Sequence, residues 1–146
     1  MGLEAGNGTR RIRTIHDLGV LLIEDDDFTR KLISRLLHDI RVRLVFEASD
    51  GVQALDVLRK NGHDVDIAIC DLEMPRMGGL DLLHALRTAT GNPLAELPVI
   101  VLTGHREADM VKRAIAYGIS GYLVKPVSKT DLMKRLGFAL QQRAQT

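Results

Sequence analysis

A chain of 146 residues, 45% apolar and 27% charged, is sized for one domain with a real core. A formal net charge of +1 and 3% aromatic residues without Trp argue against a basic field for nucleic acid or membrane and against a base-stacking surface. The lone cysteine, Cys70, excludes an internal disulfide and suits a reducing cytoplasm, and no apolar run reaches the ~18 residues of a membrane span.

Residues 1–16 are Gly-rich, polar and basic (Arg10, Arg11, Arg13), with no apolar stretch of a signal peptide, and are expected to form a flexible arm before a domain of residues 17–146. The continuous apolar run 18–24 predicts a strand covered on both faces. Residues 28–40 place Phe28, Leu32, Ile33, Leu36, Leu37 and Ile40 on one helical stripe, with Asp27 as the expected cap. A second strand is expected over 42–48, and a helix over 50–62 capped by Asp50 and stopped at Gly62. The third strand, 65–70, carries Cys70 as a small core residue and runs directly into Asp71. A loop with Met74 and Met77 as packing residues leads to a helix over 79–89, and a Pro-bracketed loop over 90–97 to a strand over 98–104. A helix over 106–118, a strand over 121–126 and a helix from Ser128 to Gln142, opened by the capping pattern Ser128-x-x-Asp131, complete the chain. Five strands alternating with five helices imply an α/β fold, a five-stranded parallel sheet with helices on both faces.

In such sheets, sites form at the carboxyl ends of the strands. Those ends hold Glu24, Asp25, Asp26 and Asp27, then Asp71, then Thr103, then Lys125 before Pro126. Crowded carboxylates repel unless a cation sits among them, and oxygen ligands suit Mg2+. A lysine facing them offers a point charge for a phosphoryl group, and a threonine offers a hydroxyl donor. The set fits phosphoryl transfer to an aspartate, a form of covalent catalysis. Taken singly, the acid run is an ordinary solvated turn and Lys125 a surface lysine; the combination is what argues for a site. Asp26 and Asp27 are read as turn and cap only, and the five histidines show no ligand spacing.

The stretches VLLIEDDDFTRKLI, DIAICDLEMPRMGG, PVIVLTG and GYLVKP, in this order, resemble the four signature blocks of receiver domains from two-component response regulators. The spacings agree: 46 positions from Asp25 to Asp71, 32 more to Thr103 and 22 more to Lys125. The likeness covers about residues 18–142 and implies a (βα)5 flavodoxin-like receiver fold. It implies Asp71 as phosphoacceptor, and a Mg2+ site from Asp25, Asp71 and the backbone carbonyl of Glu73, with Glu24 acting through water. It further implies Thr103 and Lys125 as phosphoryl contacts, Lys125-Pro126 as a cis peptide, and Thr103 with Tyr122 as a switch pair. Glu73 and His105 would flank the path of attacking water. The partners implied are a sensor histidine kinase or a histidine phosphotransfer protein. A target protein or a second copy would bind the face of the fourth helix, fifth strand and fifth helix, near Ala108, Val111, Lys112 and Tyr122.

Three features depart from the commonest pattern: Glu24 in place of Asp, Tyr117 before Gly118 in place of a small residue, and a long loop from Thr88 to Leu97. An aspartyl-phosphate hydrolase is disfavoured because Glu73 stands where its second Asp belongs. A degenerate docking module is disfavoured because Asp25, Asp71 and Lys125 are all present. The expectation is a stand-alone cytoplasmic receiver, either a target-binding switch or a phosphorelay shuttle, unless the chain is a fragment of a regulator with an output domain.

Overall fold

The computed structural model describes residues 11–89, 91–104 and 108–144. Five parallel strands form one sheet in the order β2-β1-β3-β4-β5: β1 Gly19–Ile23, β2 Leu44–Ala48, β3 Ile67–Asp71, β4 Val99–Thr103 and β5 Gly121–Val124. Helices α1 Asp27–Asp39, α2 Gly51–Asn61, α3 Gly79–Arg87, α4 Ala108–Ile115 and α5 Lys129–Ala144 connect and follow them. The expected alternation and flavodoxin-like layering are therefore present.

The strands' period of two divides the core between the faces. Leu21 and Ile23 point to one side, with Ala54 and Leu58 of α2, Leu82, Leu83 and Leu86 of α3 and Ala114 of α4. Val20 and Leu22 point to the other, with Ile33 and Leu37 of α1 and Leu132, Leu136 and Ala139 of α5. Covered on both faces, β1, β3 and β4 are buried at every position, which is why they read as continuous apolar runs. β2 lies at an edge and is only partly covered, so its Leu44 and Glu47 face solvent.

The stripe expected on α1 is narrower than its periodicity. Ile33, Leu37 and Ile40 are buried, whereas Phe28 and Leu32 are 77% and 41% exposed. The helix meets the sheet along Ile33, Ser34 and Leu37, one position round from the line through Phe28 and Leu32. The cap also differs: the Asp26 carboxylate accepts from the Thr29 amide and hydroxyl at 2.8 and 2.6 Å, and Asp27 is already helical. Asp50 caps α2, and Ser128 accepts from the Asp131 amide at 3.1 Å. In the described part of the expected arm, Ile12 and Ile15 pack on the α1–α5 side of the core, and Thr14 caps a short 3-10 turn over Ile15–Asp17.

The chain leaves β1 toward β2, then returns past β1 to build β3, β4 and β5 on the other side. The order reverses between β1 and β3, so the loops after these strands diverge and leave a crevice at their carboxyl ends. Ile23 pairs with Cys70, one residue short of Glu24 and Asp71 respectively.

Candidate functional site

The carboxyl ends of β1 and β3 bring Glu24, Asp25 and Asp71 together, with ligand oxygens within 4.8 Å of one another. Glu24 continues β1 by one residue, its amide donating to the Ala48 carbonyl at 3.0 Å. Its side chain is fully buried, while Asp71 is 4% exposed and Asp25 is open to solvent. Two buried carboxylates at one sheet edge require a counter-charge.

Lys125 provides it. The Lys125 amide donates to the Thr103 carbonyl at 2.9 Å, which extends the β4–β5 pairing by one residue. From there its Nζ lies 2.6 Å from Glu24 Oε1 and 3.0 Å from Asp71 Oδ2. The contact to Asp71 is a hydrogen bond, and the contact to Glu24 Oε1 is a close ion pair. Burial works against the lysine's charge, but the contacts and charges of Glu24 and Asp71 outweigh it and leave its pKa raised. The following Lys125-Pro126 bond is cis, as the sequence implied.

The remaining acceptors are partly used. Glu24 Oε2 accepts from the Asp26 amide at 3.0 Å, and Asp71 Oδ1 from the Glu73 amide at 3.2 Å. One ammonium among three carboxylates still leaves the cluster net negative. Burial first, then the hydrogen bond and charge of Glu24, push the Asp25 carboxyl above its ordinary range. An oxygen-only donor set, in negative excess and with a raised carboxyl, fits a hard divalent cation such as Mg2+. Asp26 is turned to its capping bonds, which hold its carboxyl below the usual range.

Thr103 ends β4, buried, with its hydroxyl donating to the Gly104 carbonyl at 3.0 Å. Tyr122 stands on edge strand β5, 44% exposed, with the Arg135 guanidinium 5.9 Å from its ring centre. Val111 is half-buried against the core and Lys112 is exposed. His105 and the side chain of Ala108 lie outside the described residues. Cys70 is fully buried, and burial with the charges of Asp71 and Glu24 drives its thiol far up, so it is an inert core residue. Met74 and Met77 pack against the core.

Sequence reasoning missed Arg30. Its Nη1 donates to the Glu24 carbonyl at 2.9 Å while Nε and Nη2 hold Glu47 and Asp27, which stiffens the start of the acidic loop. The only local signal was its position three residues after Asp27. A cleft of about 800 Å3 lies at the opposite, amino ends of the strands, lined by Leu58, Leu94 and Pro98 among others. Its Arg87 is committed to the carbonyls of Ala95, Tyr117 and Gly118, a tie between α3, the long loop and the end of α4.

The family model of the response regulator receiver domain matches residues 20–137. The chemotaxis protein CheY-3 of Vibrio cholerae serotype O1 is 32% identical over 120 residues, covering 82% of this chain and 89% of that protein. The chemotaxis protein CheY of Pseudomonas aeruginosa is 33% identical over 117 residues, covering 80% and 91%. Among solved structures, a response regulator receiver domain protein from Clostridium thermocellum superposes with a TM-score of 0.78 at 29% identity, covering 88% of this chain and 98% of that one.

The raised Asp25 carboxyl gives a test of sign. Between its unfolded value of 3.8 and its folded value, the folded state keeps a proton that the unfolded state releases, so stability falls as pH rises through that window. Above the window, ionised Asp25 opposes folding of the metal-free protein. Asp25→Asn should raise the melting temperature in EDTA at pH 7, lose that advantage below pH 4, and abolish the stabilisation that added Mg2+ gives the parent protein. Thermal melts with EDTA or Mg2+ at both pH values check this; a variant that melts lower in EDTA at pH 7 contradicts it.

Proposed function

Since the chain belongs to the receiver domain family of response regulators, we propose that Asp71 accepts a phosphoryl group from the phosphohistidine of a sensor kinase or histidine phosphotransfer protein, with Mg2+ as cofactor. The observation that carries this reading is the convergence of Glu24, Asp25, Asp71 and Lys125 at one sheet edge. An Asp71 carboxylate oxygen forms the new bond to phosphorus. The donor's P–N bond breaks, and its nitrogen keeps the electron pair.

Asp25, Asp71 and the Glu73 carbonyl would hold the metal directly, with Glu24 acting through water. Bound there, Mg2+ would offset the negative charge that a phosphoryl group brings to an already acidic edge. Lys125, now against Asp71, is placed to turn toward a phosphoryl oxygen, and Thr103 to donate its hydroxyl to another. Asp71→Asn should yield no phosphoryl adduct with acetyl phosphate or phosphoramidate by intact mass, while the parent protein yields one that EDTA suppresses. An adduct on the variant, or equal yields with and without EDTA, contradicts the assignment.

The output proposed is a switch in protein–protein contacts. The new acceptor oxygens would draw the Thr103 hydroxyl from the Gly104 carbonyl, and the space released beside β4 would favour an inward Tyr122 ring. Tyr122, Val124 and Ile115 are exposed on β5 and α4, a surface on which a target or a second copy could dock. No helix among the described residues is long and apolar enough to cross a membrane; a cytoplasmic switch is the setting we propose. Binding of beryllofluoride, a phosphoryl mimic, should shift amide NMR signals of residues 104–124 in the parent protein and much less in Thr103→Ala. Shifts confined to the loops around Asp25 and Asp71 would place the readout elsewhere.

A further inference from the structure

The loop of residues 72–78, which joins β3 to α3 and carries Glu73, is fastened at three points. At its ends, the Gly79 amide donates to the Leu72 carbonyl at 3.1 Å. Near its centre, Arg76 reaches across to Asp50, the N-cap of α2: its Nε donates to Asp50 Oδ2 at 2.8 Å, and its Nη2 contacts the same oxygen. Beside this pair, the Gly51 amide donates to the Met77 carbonyl at 3.0 Å. The approach is so close that a Cβ on Gly51 would lie 2.5 Å from Met77 Cγ.

The arrangement has a cost and a partner that offsets it. Arg76 holds a φ of 63°, a left-handed conformation unfavourable for a side chain with a Cβ. Asp50 is 3% exposed, so its charge needs compensation. Burial works against that charge, but the bonds from the Gln53 amide and Arg76 outweigh it and hold the carboxyl below its usual range. Asp50 Oδ1 serves α2 through Gln53 at 2.9 Å, and Oδ2 serves the loop. One carboxylate therefore fixes both the start of α2 and the loop that follows the phosphoacceptor. Its own strand is tied to the site too, because the Ala48 carbonyl at the end of β2 receives the Glu24 amide.

We propose that Asp50 and Arg76 are positioning residues for the acid cluster, holding the 72–78 loop so that the Glu73 backbone stays at the Asp71 carboxylate. The inference rests on the functional reading above, in which the Glu73 carbonyl is a metal ligand. Neither side chain would touch the metal; the pair would fix a ligand that a loop would otherwise leave free to wander. Supporting bonds of this kind govern metal affinity as well as local order.

The test compares the parent protein with Arg76→Ala, Arg76→Lys and Asp50→Asn. Mg2+ affinity is followed by NMR titration, and amide hydrogen exchange is measured without metal. Arg76→Ala should weaken Mg2+ binding by roughly tenfold and speed exchange in residues 72–78, while exchange in β1, β3 and β4 is unchanged. Arg76→Lys, which keeps the charge but not the forked donor, should recover part of the affinity. Asp50→Asn should produce the same loop and affinity changes as Arg76→Ala while leaving the first turn of α2 capped, since Asn accepts from the Gln53 amide as Asp does. Parent-like Mg2+ affinity in Arg76→Ala, or faster exchange spread over the whole sheet, overturns the proposal. A parent protein that binds no Mg2+ overturns the functional reading itself, a result distinct from either.

Discussion

Lys125 Nζ, 2.6 Å from Glu24 and 3.0 Å from Asp71, is the contact on which the carboxyl edge of this sheet depends. β1 and β3 are buried along their whole lengths, and each delivers a carboxylate to its end without an intervening turn. Without a cation between them, those carboxylates would repel each other and lose hydration together. The ammonium comes from the far side of the sheet, after β5, and reaches across β4 to do this. The fold must therefore be complete before the site is balanced, and the site stays acidic enough to favour a divalent cation.

The same economy appears around the crevice. Among the described residues, bonds of this kind fix the segments that follow the strands at the carboxyl edge. Arg30 holds the carbonyl of Glu24, Asp50 holds Arg76, and the Thr103 carbonyl accepts from the Lys125 amide. Such bonds restrict loops where carboxylates must sit at fixed separations, and preorganisation of charge is the main resource available to phosphoryl transfer. Thr103 and Tyr122 sit differently: the Thr103 hydroxyl donates to the Gly104 carbonyl, and the Tyr122 ring on edge strand β5 is half in solvent.

The sequence was most legible where one physical constraint dominates. Continuous apolar runs marked β1, β3 and β4 because both their faces are covered, and the acids and lysine at their ends stood out against those runs. Edge strand β2 reads less clearly because it is only partly covered. The α1 stripe was over-read: Phe28 and Leu32 fit the helical period, but period does not reveal how wide a strip the sheet covers. Asp27 was mistaken for the cap because Asp26 and Asp27 are chemically identical candidates one residue apart, and only backbone geometry separates them. Arg30 left only its spacing from Asp27, and the Asp50–Arg76 pair, 26 positions apart, left no signal, since contacts across the chain have no periodicity.

Lys125 is expected to stabilise the fold through the two buried carboxylates and not through packing of its own stem. A double-mutant cycle on folding stability, in EDTA at neutral pH by chemical denaturation, measures this with Lys125→Met in the parent and in the Asp71→Asn background. The expected result is coupling of about 1 kcal/mol or more, with Lys125→Met more costly in the parent than once the Asp71 charge is gone, the remaining cost falling on Glu24. Equal losses in the two backgrounds, additive to within about 0.5 kcal/mol, would contradict it.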